Sequence, residues 1–338
     1  MRKVFKVFAG LLVLTLALSA CSSKSSQSGN KVKLTNVSYD PTRELYAAYN
    51  KEFKDYYKKK TGKTVDIVQS HGGSGKQARS VVEGADADVV TLALEHDITL
   101  IQNAGMIDSG WQHEFDLDSS PYTSTIVFLV RKGNKKNIKD WDDLIKPNVD
   151  IINPDPKSSG GAMWNFLAAW QYSKVKYGND EAKSKEFVKK LYSHVKVMDS
   201  GARGATTTFV ENGQGDVLIA WENEALATLK EYPGKYELVT PSISILAQPS
   251  VAIVDENANK NGTQKVAKDY LKYLYSTKAQ EIIAKNGYRP SNKEVLKKYG
   301  KTFDLNVKLC TIKDFGGWDK AYKTYFQDGA IFDQIYHH

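Results

Sequence analysis

Three times along this chain a short apolar run passes through a turn of glycine and serine into a helix-forming segment. The first instance is Val65 to Val68, then Gln69-Ser-His-Gly-Gly-Ser-Gly-Lys76, then Gln77 to Glu83. The second is Asp150 to Asn153, then Pro154-Asp-Pro-Lys-Ser-Ser-Gly-Gly161, then Ala162 to Trp170. The third is Val195 to Met198, then Asp199-Ser-Gly-Ala-Arg-Gly204, then Ala205 to Glu211. Strands alternating with helices in this way predict an α/β fold with a largely parallel sheet. Ligands on such sheets sit at the carboxyl ends of the strands. A glycine turn at a helix start leaves backbone N–H groups bare, and the helix dipole adds positive potential there. Gly72, Gly73 and Gly75 permit positive φ and let a ligand approach the main chain closely.

The first turn is not a nucleotide loop. A Walker loop needs G-x-x-x-x-G-K followed by Ser or Thr, and here Ser70 and Gln77 occupy the first-glycine and hydroxyl positions. Taken alone, the turn is equally a tight connection with no ligand. Three such turns drawn from two halves of the chain point to convergence on one anion. Around them, Val32 to Ser38 alternates as a first strand, and Asp40-Pro41 reads as an N-cap followed by a first helical residue. Leu45, Tyr46, Tyr49, Phe53 and Tyr56 recur at helical spacing as core, and Thr61-Gly62 ends that helix. Ala87 to Ala93 is a strand, Asp97 to Asn103 a helix, and Pro121 to Arg131 a long extended stretch. A further strand, Asp216 to Ala220, ends on Trp221, whose indole N–H is a neutral donor. Tyr236 to Val254 is extended, with prolines that disfavour a central strand, and helices are expected at 266–274, 277–286 and 317–327.

The N-terminus carries a basic start (Arg2, Lys3, Lys6), an apolar run from Phe8 to Leu18, and Leu18-Ser-Ala-Cys21. This is a secretory signal, and its end resembles the lipobox of bacterial lipoproteins. That resemblance implies cleavage before Cys21 and a lipid on its sulfur. Ser22 to Gly29 then reads as a flexible tether. Cleavage leaves 318 of the 338 residues and lowers the formal charge from +8 to +5. A chain of that length predicts two domains. No basic stretch is interleaved with stacking aromatics, so a nucleic-acid partner is not expected. With Cys21 lipidated only Cys310 remains, in a strand-like run, as a buried small hydrophobe. The six histidines are scattered, so neither a metal site nor a cofactor is expected.

Five motifs in order, Asn36 to Tyr46, Gln69 to Lys76, Pro156 to Gly161, Asp199 to Gly204 and Ala220 to Ala225, resemble the sulfate-binding proteins of bacterial ABC importers. The resemblance covers nearly all of the mature chain. It implies a two-domain periplasmic-binding-protein fold of the second type, with a dehydrated sulfate in the interdomain cleft. The expected division is 1–20 signal, 21–31 anchor and tether, 32–120 with 246–338 as domain I, and 121–245 as domain II. The resemblance further implies main-chain N–H donors at Ser74, Gly160, Gly161 and Ala202, a hydroxyl donor at Ser159 and an indole donor at Trp221. Asp40, Arg203 and His71 are expected beside the site as support. The implied partners are sulfate and the permease and ATPase subunits of an importer, with the protein a monomer held at the extracytoplasmic membrane face by Cys21. Thiosulfate, molybdate or phosphate are the alternative ligands. An esterase would need a nucleophile with an adjacent base, and no G-x-S-x-G elbow is present. With no ligand proton and no essential histidine, affinity is expected to be nearly flat between about pH 5 and 8.

Overall fold

The structure is a computed structural model that describes residues 30–336. The expected signal peptide, Cys21 and all but the end of the tether lie outside them.

The principal elements follow in chain order. The first lobe starts with β1 (Lys31–Tyr39), α1 (Arg43–Thr61), β2 (Thr64–Gly72), α2 (Ser74–Val82), β3 (Val89–Leu92) and α3 (Glu95–Asn103). The second lobe continues with β4 (Ile126–Arg131), β5 (Ile151–Pro154), α4 (Gly160–Lys176), α5 (Glu181–Ser193), β6 (Val195–Asp199), α6 (Ala202–Val210), β7 (Val217–Trp221), α7 (Glu222–Glu231) and β8 (Tyr236–Val239). The return path carries β9 (Ile243–Ile245), β10 (Ser250–Ile253), α8 (Gln264–Tyr273) and α9 (Thr277–Lys285), and ends with β11 (Lys308–Cys310) and α10 (Ile331–Ile335).

Two sheets result. The first has the order β10-β3-β1-β2, with β3, β1 and β2 parallel and β10 antiparallel at the edge. The second has the order β6-β5-β7-β4-β8, with β6, β5 and β7 parallel and β4 antiparallel to both neighbours. Both sheets are covered on two faces, as parallel sheets require. Neighbouring β-strand side chains point to opposite faces, so Leu34 and Val89 pack with α1 and α8 while Val37 and Val90 pack with α2 and α3. In the second sheet Ile126, Phe128 and Val130 face one core and Val127 and Leu129 the other. Pro241 and Pro249 fall between strands, where their missing N–H costs no ladder bond.

Local details differ from the expectations. Asp40 is not a helix cap. It opens a 3-10 turn, Asp40–Thr42, whose N-cap is Tyr39 without a side-chain cap bond. The glycine turn at 69–76 is shorter than its composition suggests, because β2 runs through Gly72 and α2 begins at Ser74. The long run 121–131 breaks into Tyr122–Thr123 and β4.

The larger difference is where the C-terminal stretch packs. The expected division assigns 246–338 to the first domain. The chain crosses a third time instead: β11 pairs with β9, and the residues beyond it lie on α4 and α5 of the second lobe. Phe166 meets Tyr325, Phe326 and Phe332 at ring separations of 5.7, 5.2 and 6.0 Å. Each fully buried aromatic of this kind stabilises by about 1.5–3 kcal/mol. The sequence of α4 explains the attraction. Every residue from Gly160 to Trp170 is buried, and a helix apolar all round must be covered on all sides.

Candidate anion-binding site

The carboxyl ends of β1, β2 and β3 face those of β5, β6 and β7 across the cleft. Three helices start there, α2 at Ser74, α4 at Gly160 and α6 at Ala202. Their first N–H groups have no intrahelical acceptor. The N–H groups of Ser74, Gly160, Gly161 and Ala202 have no acceptor among the described residues. Each helix end carries about half a positive elementary charge, so the three supply on the order of +1.5 together.

Close approach, rather than unusual backbone, is what the glycines provide. Gly72, Gly73, Gly75, Gly160 and Gly161 all have ordinary φ, contrary to the left-handed role expected for the first three. A Cβ on Gly73 would sit 2.7 Å from Ser158 O and 3.3 Å from Ser200 O, both across the cleft. One on Gly160 would lie 2.9 Å from Leu94 Cγ, and one on Gly201 would lie 2.7 Å from Asp40 Oδ2. The two lobes therefore meet backbone to backbone. Between them lies a small cavity of about 10 Å³ bounded by Tyr39, Asp40, Pro41, Gly72, Gly73, Ser74, Ser159, Gly161 and Ala202. A wider hollow beside Tyr56 and Tyr273 holds none of these donors.

Ser74 Oγ donates to Asp97 Oδ2 at 2.5 Å and accepts from Ala93 N–H at 2.9 Å, so its side chain is spent and its main-chain N–H is left over. Ser159 is the buried N-cap of α4, and its hydroxyl makes no hydrogen bond among the described residues. Trp221 does not line the cavity. Its indole N–H donates to Gly161 O at 3.1 Å, so a ligand taking that proton competes with this bond. Its ring is also held by Tyr39 at 5.6 Å.

His71 Nδ1 lies 3.2 Å from Tyr39 O and 3.4 Å from Thr42 Oγ1, which fixes the turn after β1. A carbonyl only accepts, so Nδ1 carries the proton, and burial holds the ring's pKa below its usual value. Arg203 donates to Glu44 across the cleft. The Asp40 carboxylate lines the cavity, and burial raises its pKa against the opposing pull of Arg43, Arg203 and Lys76.

Two buried acids near the site escaped the sequence reading. Asp97 lies under Ser74, and burial pushes its pKa up to about 6, with Ser74 and Arg79 acting against the rise. Glu224 accepts from Thr206 Oγ1 at 3.1 Å, and burial raises its pKa against the pull of Arg203. Glu224 belonged to a motif already singled out; nothing marked Asp97 except its place two residues into α3. Among the described residues no cluster of His, Cys, Asp and Glu could hold a metal ion, and no helix is long and apolar enough to cross a membrane.

The family profile of bacterial extracellular solute-binding proteins matches residues 42–289. The chain is 58% identical over 324 residues to the sulfate-binding protein of Escherichia coli K12, covering 95% of this chain and 97% of that one. It is 44% identical over 338 residues to the thiosulfate-binding protein of Pseudomonas aeruginosa, covering 99% of each. Among solved structures, a sulfate-binding protein from Mycobacterium tuberculosis superposes with a TM-score of 0.79 at 33% identity, covering 88% of this chain and 100% of that one.

Proposed function

Because the chain belongs to the bacterial extracellular solute-binding proteins, with their two-lobed periplasmic-binding-protein fold, we propose that it captures sulfate and delivers it to an ABC-type permease. The observation that carries this is the set of unpartnered N–H groups at Ser74, Gly160, Gly161 and Ala202, with the free Ser159 hydroxyl, around one small cavity. Sulfate is a full dianion at neutral pH and has only acceptors to offer. Neutral donors from three helix starts match it without a counter-charge. Trp221 joins them if its N–H turns from Gly161 O to the ligand.

Phosphate is disfavoured by the same logic. Monohydrogen phosphate must find an acceptor for its proton, or bury an unmatched group at a cost of about 1–3 kcal/mol. One feature favours it nonetheless: the Asp40 carboxylate lines the cavity and is such an acceptor. Thiosulfate keeps the dianionic charge and three of the oxygens, and a relative at 44% identity is a thiosulfate-binding protein. Calorimetry with sulfate, thiosulfate, molybdate and phosphate decides among them. The expected outcome is tightest binding of sulfate; tighter binding of phosphate assigns Asp40 the deciding role and overturns the choice of ligand.

The transport role is that of a binding subunit without catalysis, working with permease and ATPase partners as a monomer. Purified protein is expected to release no product from a sulfate or phosphate ester. The sequence Leu18-Ser-Ala-Cys21 supports lipid anchoring at the extracytoplasmic membrane face. Cys21→Ser is expected to abolish labelling by a radioactive fatty acid and to release the protein from membranes.

A further inference from the structure

The loop that carries Ser159 is held from outside the second sheet. Lys157, two residues before Ser159, sends its ammonium group to Phe326 O at 2.9 Å, Asp333 at 2.8 Å and Asp328 at 3.3 Å. Its own N–H closes the turn onto Asp155 Oδ1 at 2.8 Å. The side chain is half-buried, at 24% exposed. Burial works against its charge, but the two aspartates outweigh burial and raise its pKa. A lysine that reaches back to a segment some 170 residues away in sequence does more than solvate a loop.

The same segment touches the first lobe. Tyr322 stacks on His96 with ring centroids 3.9 Å apart and planes at 20°. His96 precedes Asp97, the acid that holds Ser74. Nearby, Trp318 packs edge-on against Trp164 at 4.7 Å, and Trp164 donates its indole N–H across the cleft to Ala93 O at 3.0 Å. Residues Tyr322–Phe326, which carry the stack on His96 at one end and the carbonyl bound by Lys157 at the other, form a π-helical turn, a rare conformation that is frequent at functional sites.

We propose that the C-terminal segment 318–333 is a clasp across the cleft, with Lys157 and Tyr322 as positioning residues through which it holds both ligand loops in register and slows release of the anion. This rests on the sulfate-binding reading for its ligand and on the contacts alone for its mechanics. The lysine cluster anchors the segment to the second lobe, and the Tyr322–His96 stack that it positions forms only when the lobes are together, so loss of either appears in dissociation and not in encounter.

The test measures sulfate dissociation and association by stopped-flow tryptophan fluorescence, and hydrogen exchange of the ligand-free protein, in Lys157→Met, Lys157→Arg and Tyr322→Leu. Lys157→Met is expected to speed dissociation about tenfold, with association within about twofold of the parent. Exchange in peptides covering 155–162 rises with it. Lys157→Arg, which keeps a cation for Asp333, restores most of both readouts. Tyr322→Leu leaves the lysine cluster intact and is expected to speed dissociation about threefold, so it serves if Lys157→Met fails to fold. Dissociation unchanged in both variants, or exchange over 155–162 unchanged in Lys157→Met, overturns the clasp. A parent protein that does not bind sulfate overturns the ligand reading, while the exchange measurement still decides on the clasp.

Discussion

Asp97 shows how one buried side chain sets conditions for a site it does not line. Its carboxyl pKa is about 6 in the fold, raised first by burial, against about 3.9 in an unfolded chain. The folded protein therefore holds this proton more tightly than the unfolded one. The contribution to stability is greatest below about pH 4 and is lost as pH rises to about 6, on the order of 3 kcal/mol in all. Asp97→Asn keeps an acceptor for Ser74 and carries no charge. It is expected to raise stability at pH 7 by roughly 1–3 kcal/mol and to remove this component of the pH dependence. Chemical denaturation of both proteins at pH 4, 5, 6 and 7 checks it. A bound dianion one side chain away also favours the protonated acid. Affinity is therefore expected to rise modestly below about pH 6.5 in the parent and not in the variant, which amends the flat profile expected from the sequence.

At the scale of elements, the strand–turn–helix unit was legible because its signals are local. Glycines marked the turns, alternation marked β1, and the spacing of Leu45, Tyr46, Tyr49 and Phe53 marked the buried face of α1. Less legible was the purpose of the glycines, since a close approach between lobes depends on atoms far apart in sequence. Gly160→Ala separates the two roles. Alanine suits a helix start better than glycine by up to about 1 kcal/mol, so the ligand-free protein is expected to lose no thermal stability. Its methyl group meets Leu94 and Ser74 from the other lobe, and overpacking of that kind costs about 1–3 kcal/mol. Sulfate affinity is expected to fall about tenfold or more by calorimetry. The helix α7 passed unread because its start, Glu222-Asn-Glu224, is as polar as a loop; two of those side chains are occupied by Arg289 and Thr206.

For the whole molecule, the junction between lobes rests on a buried ion pair. Arg289 grips Glu222 in a two-pronged contact at 2.6 and 2.8 Å, with side-chain exposures of 7% and 2%. Arg289→Met leaves the carboxylate buried without a partner and is expected to cost about 3–5 kcal/mol in chemical denaturation. Adding Glu222→Gln should return much of that loss, since it removes the stranded charge. Neither this pair nor the third crossing was readable from the chain. Phe166, Trp170 and Phe326 announce that they need burial but not which lobe supplies it, so the side on which the tail packs was not legible in the chain. That choice has a practical side. Lys31 begins the first sheet, while Ile335 rests against the second lobe. A donor dye near one and an acceptor dye near the other would ride on different halves of the hinge. Their energy transfer would report anion capture in real time, with no reporter inserted into the folded body.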